Sequence, residues 1–400
     1  MHVSKGFRYR VYPTPAQVAR FAAWEGAMRF LWNLALEQRR MGYARPRGER
    51  VYPSAFDQID ELTELRDALP WLADVPRNVC AQLLVELDKA WQRCFAKLAL
   101  APRWKRRGRD HLGLTEPHPK AWRLDGSTIR FPKLGNLRAV VHRPLEGTPK
   151  HCTLRREGDQ WFVSITCDVE IADPAPRTEP VVAIDRGVVN VIADSDGRIV
   201  ESPRYYEQAL ARLARAQRVV ARRRKGSQNR EKAKARVAVL HRKVRRQREH
   251  FLHVESARYA KNHGVIVLEK LNVAGMARGW CARGILDAGW SRFEHMCGYK
   301  LAWSGGNLDH EVAAFSSQTC NVCGCVDAKS RVSQSVFHCT SCGHREHADT
   351  NAAKVLKQRY EARVIRSGKP VEGTVPVAAR RSRKRVSLRV PRRAPESSAL

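Results

Sequence analysis

The sequence predicts a multidomain α/β protein, on three observations. Strand-like alternation of apolar and polar residues occurs at the N-terminus and again over 103–178, with a mainly helical stretch between. Beyond residue 179, two wholly apolar runs, "VVAI" and "GVIVL", read as buried strands separated by a long basic helical pattern. Two Cys-x-x-Cys-Gly knuckles then precede a last helix. A chain of 400 residues allows roughly two to four domains and can bury substantial cores without cysteine staples.

The elements follow in order. "VSKGFRYRVYP" places Phe7, Tyr9 and Val11 on one face of a strand. In "TPAQ", Thr14 is an N-cap, Pro15 takes the first helical position and Gln17 completes a capping box. Val18, Phe21, Ala22, Met28, Leu31, Trp32 and Ala35 recur at helical spacing. Val79, Leu83, Leu87, Ala90, Trp91, Cys94 and Leu98 do so over about 77–100. "STIRFPKLGNLRAVVHRP" and "CTLRREGDQWFVSITCDVE" alternate like strands, so a small antiparallel β domain or barrel is expected, joined by the N-terminal strand. "IADPAPRTEP" is a linker by its prolines. "VVAIDRGVVNVIADSDGRIVES" reads as a three-stranded meander. A basic helical pair over about 204–260 follows, broken at "KGSQN", with a thin apolar stripe of Leu210, Leu213, Val220, Val237, Leu240 and Val244. "GVIVLE" is a further strand, and Gly275, Gly279 and Gly284 suggest a mobile loop. A helix near 288–303 leads to a short strand in "HEVAAF". The tail from 367 to 400, with "RRSRKRVSLRVPRR", has the composition of a disordered segment.

The formal net charge of +33 narrows the partners. Like charges at this density oppose compaction unless a polyanion neutralises them, so nucleic acid is the expected partner, with binding that weakens steeply in salt. The basic helical pair is expected to lie along a phosphate backbone. "MHVSKGFRYRVYP" has no apolar signal-peptide core, and no run approaches the ~18 apolar residues of a membrane span. A cytoplasmic protein without a membrane partner is therefore expected, associated with the nucleoid when bound to DNA.

Five of the 11 cysteines fall between Cys320 and Cys342. Cys320, Cys323, Cys339 and Cys342 give two C-x2-C pairs with 15 residues between them, the spacing of a zinc ribbon. Four thiolates close a tetrahedral site, so one structural Zn2+ is expected. Gly324 and Gly343 follow the knuckles, where a tight turn needs positive φ. Cys325, His338 and His344 lie close by and are read as bystanders.

Three acids stand at the edges of elements: Asp185 ends "VVAID", Glu269 ends "GVIVLE", and Asp349 opens the helix after the knuckles. Each alone is an ordinary turn or cap residue. Their order is more informative. An acid on strand one of a meander, an acid ending a later strand and an acid on a closing helix is the RNase H arrangement. There the three carboxylates converge, repel one another and suit hard cations. Two Mg2+ ions about 4 Å apart could then drive phosphodiester hydrolysis. The knuckles would sit as an insertion directly before the last catalytic element. Tyr205 and Tyr206, in a basic segment, read as packing or stacking residues rather than as a transposase nucleophile.

These residues together resemble the TnpB family of transposon-encoded RNA-guided nucleases, related to the type V CRISPR effectors. The resemblance runs from about residue 5 to 366. It is carried by "YRVYPTPAQ", "RFLWNLAL", "PKLGNLR", "IDRGVVNVIADSDG", "RRRKGSQNREKAKARVAVLHRKVRRQREHFLH", "LEKLNV", "SSQTCNVCG" and "CTSCGHREHADTNAA". It implies a wedge-type β-barrel (1–13 and 101–178) interrupted by a helical recognition domain (14–100). A RuvC nuclease domain (179–315 and 347–366) would carry the zinc ribbon (316–346). It implies Asp185, Glu269 and Asp349 as catalytic Mg2+ ligands and the four cysteines as zinc ligands. It further implies a transposon-derived guide RNA, one protein per guide, and double-stranded target DNA cut beside a short motif. Arg186, after the first acid, departs from the small or apolar residue also common there. The alternatives are a guide-directed repressor without cleavage, an RNA-independent recombinase or resolvase, and a structural RNA-binding protein. Loss of a carboxylate, activity without RNA, and absence of Mg2+-dependent chemistry would mark these in turn.

Overall fold

The computed structural model describes residues 1–46, 48–108, 110–276, 278–279 and 282–367, which divide into two compact units. The first takes residues 1–172 and 209–245; the second takes 173–208 and the chain from 246.

The first unit opens with β1 (His2–Tyr12) and α1 (Pro15–Ala44). The capping box forms: Gln17 N–H donates to Thr14 Oγ1 at 3.3 Å, and Thr14 N–H donates to Gln17 Oε1 at 2.9 Å. Three more helices follow, α2 (Ala55–Ala68), α3 (Pro70–Ala73) and α4 (Arg77–Phe95). The helix expected to reach about residue 100 stops at Phe95. Lys97 takes a left-handed φ of 56°, and the Leu98 N–H turns back to the Arg93 carbonyl at 2.9 Å. Leu98 is 69% exposed, so no core draws the helix onward.

Six further strands complete an antiparallel sheet: β2 (Leu114–Glu116), β3 (Arg123–Asp125), β4 (Thr128–Phe131), β5 (Gly135–Val140), β6 (Thr148–Glu157) and β7 (Gln160–Glu170). Their order, β2-β6-β7-β1-β5-β4-β3, puts the N-terminal strand in the middle. The edges β2 and β3 do not pair, so the sheet is open rather than the closed barrel entertained from sequence. Phe7, Tyr9 and Val11 are buried, as their alternation predicts, and share a core with Phe21, Trp24 and Met28 of α1. The basic pair forms as α5 (Tyr205–Arg222) and α6 (Gln228–Asn262), with Gly226 at φ 83° in the break. Its part in this unit is pinned to the β6–β7 turn: Arg242 donates to the Glu157 carbonyl at 2.7 Å and Arg245 to the Glu157 carboxylate at 2.6 Å.

The second unit holds a mixed sheet of β8 (Val181–Asp185), β9 (Asn190–Asp194), β10 (Ile199–Glu201), β11 (Val265–Glu269) and β12 (Asn307–Glu311), in the order β10-β9-β8-β11-β12. β8, β9 and β10 form the expected antiparallel meander, and β11 runs parallel to both β8 and β12. Two short helices, α7 (Val273–Met276) and α8 (Ala282–Ala288), occupy described parts of the expected mobile loop. Gly284 is packed rather than loose: a Cβ there would lie 2.4 Å from Val188 Cγ1. α9 (Trp290–Trp303) then leads into β12. That strand lies earlier than "HEVAAF" suggests. It pairs with β11 from Asn307 to Glu311 and ends where β11 ends, and the chain then turns with Phe315 at φ 58°.

Period-two alternation sorts the buried strands onto two cores. Val182, Ile184, Ile266 and Leu268 pack with Leu252 and Tyr259 of α6 and Phe293 and Met296 of α9. Val181, Ala183, Val265 and Val267 pack instead with Leu356 and Tyr360 of α10 (Ala348–Ser367). Before α10 comes a small hairpin, β13 (Val336–His338) and β14 (Arg345–His347). The expected basic tail lies outside the described residues beyond Ser367. Among the described residues no helix is long and apolar enough to cross a membrane.

Candidate active site

The alternation that builds the sheet also aims its acids. Asp185 continues the set Val181, Ala183; Glu269 continues Val265, Val267. Both therefore leave their strands on the α10 side. Parallel pairing aligns Leu268 with Ile184, which makes Glu269 and Asp185 neighbours at adjoining strand ends. Asp349 sits in the first turn of α10, which packs across that face. Three acids far apart in the chain thus share one patch. Glu269 and Asp349 are 7% and 8% exposed.

The patch is electrostatically tense. Burial pushes the Asp185 carboxyl well above the usual carboxylate range, and the charges of Glu269 and Asp349 push it further. Burial also raises Glu269, opposed by the Arg186 N–H, which donates to Glu269 Oε1 at 2.8 Å. Asp349 is held by two donors: Asn190 Nδ2 reaches Oδ2 at 3.0 Å, and Arg331 Nη2 reaches Oδ1 at 3.3 Å. The carboxylate oxygens do not close into one tight cage. Among the described residues, only the cysteine cluster brings three or more such side chains within 4.8 Å of one another. Buried carboxylates that repel one another are a donor set fitted to divalent cations.

The cysteines are closer to completion. Cys320, Cys323, Cys339 and Cys342 have sulfurs all within 4.8 Å. Cys320 and Cys342 lie 3.7 Å apart, Cys323 and Cys339 3.6 Å. Tetrahedral zinc with bonds of ~2.3 Å needs sulfurs ~3.8 Å apart, so these residues fit the ion. The Cys342 N–H, donating to Cys339 Sγ at 3.4 Å, leads the effects that bring that thiol down to about 6. Gly324 and Gly343 both take φ 74°, the left-handed turn expected after each knuckle. Cys325, His338 and His344 stay outside the cluster. The ribbon is keyed to α10 by Asn351, fully buried. Its Oδ1 accepts from Asn321 N–H at 3.0 Å, and its Nδ2 donates to the Thr319 carbonyl at 2.7 Å.

Residues 164–279 match a family described as "Probable transposase", residues 290–356 a "Cas12f1-like, TNB domain" and residues 1–49 a "Helix-turn-helix domain". Two relatives extend over nearly the whole chain. The "Putative RNA-guided DNA endonuclease InsQ" of Escherichia coli (strain K12) is 30% identical over 393 residues, 92% of this chain and 96% of its own. A "Putative RNA-guided DNA endonuclease" of Streptomyces pristinaespiralis is 34% identical over 360 residues, 88% of each chain. The chain belongs to the TnpB family. Its α/β multidomain fold resembles that in "Cryo-EM structure of the Cas12f1-sgRNA-target DNA complex", with a TM-score of 0.55, 12% identity, and coverage of 89% of this chain and 98% of that one. In this TnpB chain the described part of residues 1–49 is β1 and the single helix α1, not two helices about a turn.

In this TnpB chain Asp185, Glu269 and Asp349 stand out in sequence, whereas the side chains that contact them do not. Asn190 and Arg331 carry no signal in sequence: Asn190 is a polar residue beside a turn, and Arg331 is one of 73 lysines and arginines. Arg186 stood out only as a departure. Glu294, which receives its guanidinium at 2.9 Å, lies mid-helix and gave no sign. Tyr205 packs edge-on to Phe251, ring centres 6.4 Å apart, as expected of a packing residue.

Proposed function

We propose that this TnpB chain is an RNA-guided DNA endonuclease. It carries a transposon-derived guide RNA, one protein per guide. It hydrolyses guide-matched double-stranded DNA beside a short motif, with Asp185, Glu269 and Asp349 holding two Mg2+ ions and the four cysteines holding one Zn2+. The named relatives support the activity, and the charge of +33 supports a nucleic-acid partner. The meander order, the parallel β11 and the closing α10 support an RNase H-like, RuvC-type nuclease domain over 179–315 and 347–366, with the zinc ribbon at 316–346. By the same reading, 1–13 and 101–178 form the wedge domain and 14–100 the recognition domain.

The observation that carries the chemistry is the meeting of three acids on the α10 face of one sheet. Asp185, Glu269 and Asp349 would hold divalent cations there, which when bound would supply an activated water and charge neutralisation at the leaving oxygen. The protein's own groups set the stage. The Arg186 N–H fixes one oxygen of Glu269, and Asn190 fixes one oxygen of Asp349. The Arg331 guanidinium, partly exposed beside Asp349, is placed to meet the charge of an arriving phosphodiester.

Purification of the chain with its co-expressed transposon end tests both halves. A discrete RNA should accompany it, and the complex should cut DNA matching that RNA in Mg2+. Asp185→Ala should keep the RNA and bind target but not cut. Mg2+-dependent cutting by that variant, or parental cutting by protein free of RNA, refutes the reading.

A further inference from the structure

A buried arginine directly follows Asp185. The Arg186 side chain is 1% exposed. Its backbone N–H donates to Glu269 Oε1 at 2.8 Å, and its Nη2 donates to the Glu269 backbone carbonyl at 2.5 Å. A guanidinium this close to a carboxylate ordinarily grips it with both prongs. Here the other prong, Nη1, turns away to Glu294 Oε2 on α9 at 2.9 Å. The second oxygen of Glu294, Oε1, lies 3.1 Å from Nε2 of His310 on β12. His310 pairs with Leu268, one residue before Glu269. Four elements therefore meet around one side chain: the end of β8, the end of β11, α9 and β12.

We propose that Glu294 is a positioning residue, the counter-ion that keeps the Arg186 guanidinium off the Glu269 carboxylate and so leaves that carboxylate open to a divalent cation. A buried guanidinium requires an anionic partner. With Glu294 neutralised, the nearest acid along the chain it already touches is Glu269. A guanidinium and a hard cation compete for the same oxygens, so capture of Glu269 by Arg186 weakens the cation site. His310 steadies Glu294 by engaging its free oxygen. The arginine keeps its other task, bracing the Glu269 backbone, only while its charge is answered elsewhere. The inference rests on the reading of Asp185, Glu269 and Asp349 as cation ligands.

The test uses the full chain with its RNA. Binding of Mn2+ is followed by the paramagnetic resonance of the free ion, alongside melting temperature and the Mg2+ dependence of cleavage. Glu294→Gln is expected to weaken Mn2+ binding by about 10- to 100-fold, the usual cost of losing an outer partner of a metal ligand. Half-maximal cleavage should move to correspondingly higher Mg2+. The double variant Arg186→Met with Glu294→Met removes competitor and counter-ion together. It is expected to return Mn2+ affinity to within about threefold of the parent, since a buried pair is often replaceable by apolar side chains of similar volume. A merely structural role predicts instead that Mn2+ affinity falls and recovers only in step with melting temperature. Parental Mn2+ affinity in Glu294→Gln, or no recovery in the double variant, overturns the proposal. If Glu294→Gln does not fold, the double variant decides alone, a tenfold loss counting against the proposal. Asp185→Ala separates the two readings. Undiminished Mn2+ binding in that variant defeats the cation site itself, whereas loss there with none in Glu294→Gln defeats only the counter-ion role.

Discussion

Replacing Asn351 by alanine is expected to loosen the ribbon from α10 without dismantling the cysteine cluster. Asn351 is 0% exposed and makes two hydrogen bonds into the ribbon, to Asn321 N–H and the Thr319 carbonyl. Each is worth ~1 kcal/mol net, and a buried partner left unsatisfied costs ~1–3 kcal/mol more. Thr319 is only 9% exposed, so its carbonyl gains little from water. The sum is a loss of ~3–5 kcal/mol, which in a unit of this size lowers its melting temperature by roughly 6–20 °C. The four sulfurs belong to the ribbon alone, so zinc content should match that of the parent. Asp349 lies two residues from Asn351, and Arg331 reaches it from the ribbon at 3.3 Å. Displacement of that pair should slow cleavage by about 10- to 100-fold. The assays are thermal melting, metal analysis and cleavage of matched DNA by the RNA-loaded chain. Parental melting and parental cleavage in Asn351→Ala would refute the idea that this buried amide couples the ribbon to α10.

Two further outcomes follow from the same site. Asp185→Asn should raise thermal stability in buffer free of divalent cations. The folded Asp185 carboxyl is raised above its unfolded value of ~3.9. Its stabilising contribution is therefore complete below that value and is lost as pH climbs through the folded one. The variant should melt higher than the parent at pH 8 and equal to it near pH 4; equal melting at pH 8 would contradict the repulsion described. Cys339→Ser should lower bound zinc well below the proposed one ion per chain, read by metal analysis, and an unchanged ratio would remove Cys339 from the ligand set.

Much of this geometry was legible because strong periodic signals carried it. The runs "VVAI" and "GVIVL" announced strands buried on both faces, and the spacing of the knuckles announced a ribbon. β12 was misplaced for a physical reason. Its residues, Asn-Leu-Asp-His-Glu, are mostly polar, because it is the edge strand and answers charge on α10: Arg363 donates to Asp309 at 3.1 Å and to Glu311 at 2.5 Å. Pairing with β11, not hydrophobicity, fixes where it begins and ends. The open edge of the first sheet was equally hidden, since alternation marks strands but not whether the last meets the first. Asn190, Arg331 and Glu294 were invisible because a single polar contact between distant segments leaves no repeat to read.

The even spacing of side chains along β8 has a consequence for how such a chain can diverge. Adding or deleting one residue between Val181 and Asp185 rotates the strand by half a period. The carboxylate would then face Leu252 and Phe293, while Ile184 after an insertion, or Arg186 after a deletion, took its post opposite α10. Composition would hardly change, yet the proposed chemistry would vanish. Lineages that keep the activity should therefore vary β8 and β11 by replacement alone and confine changes of length to the connections between elements.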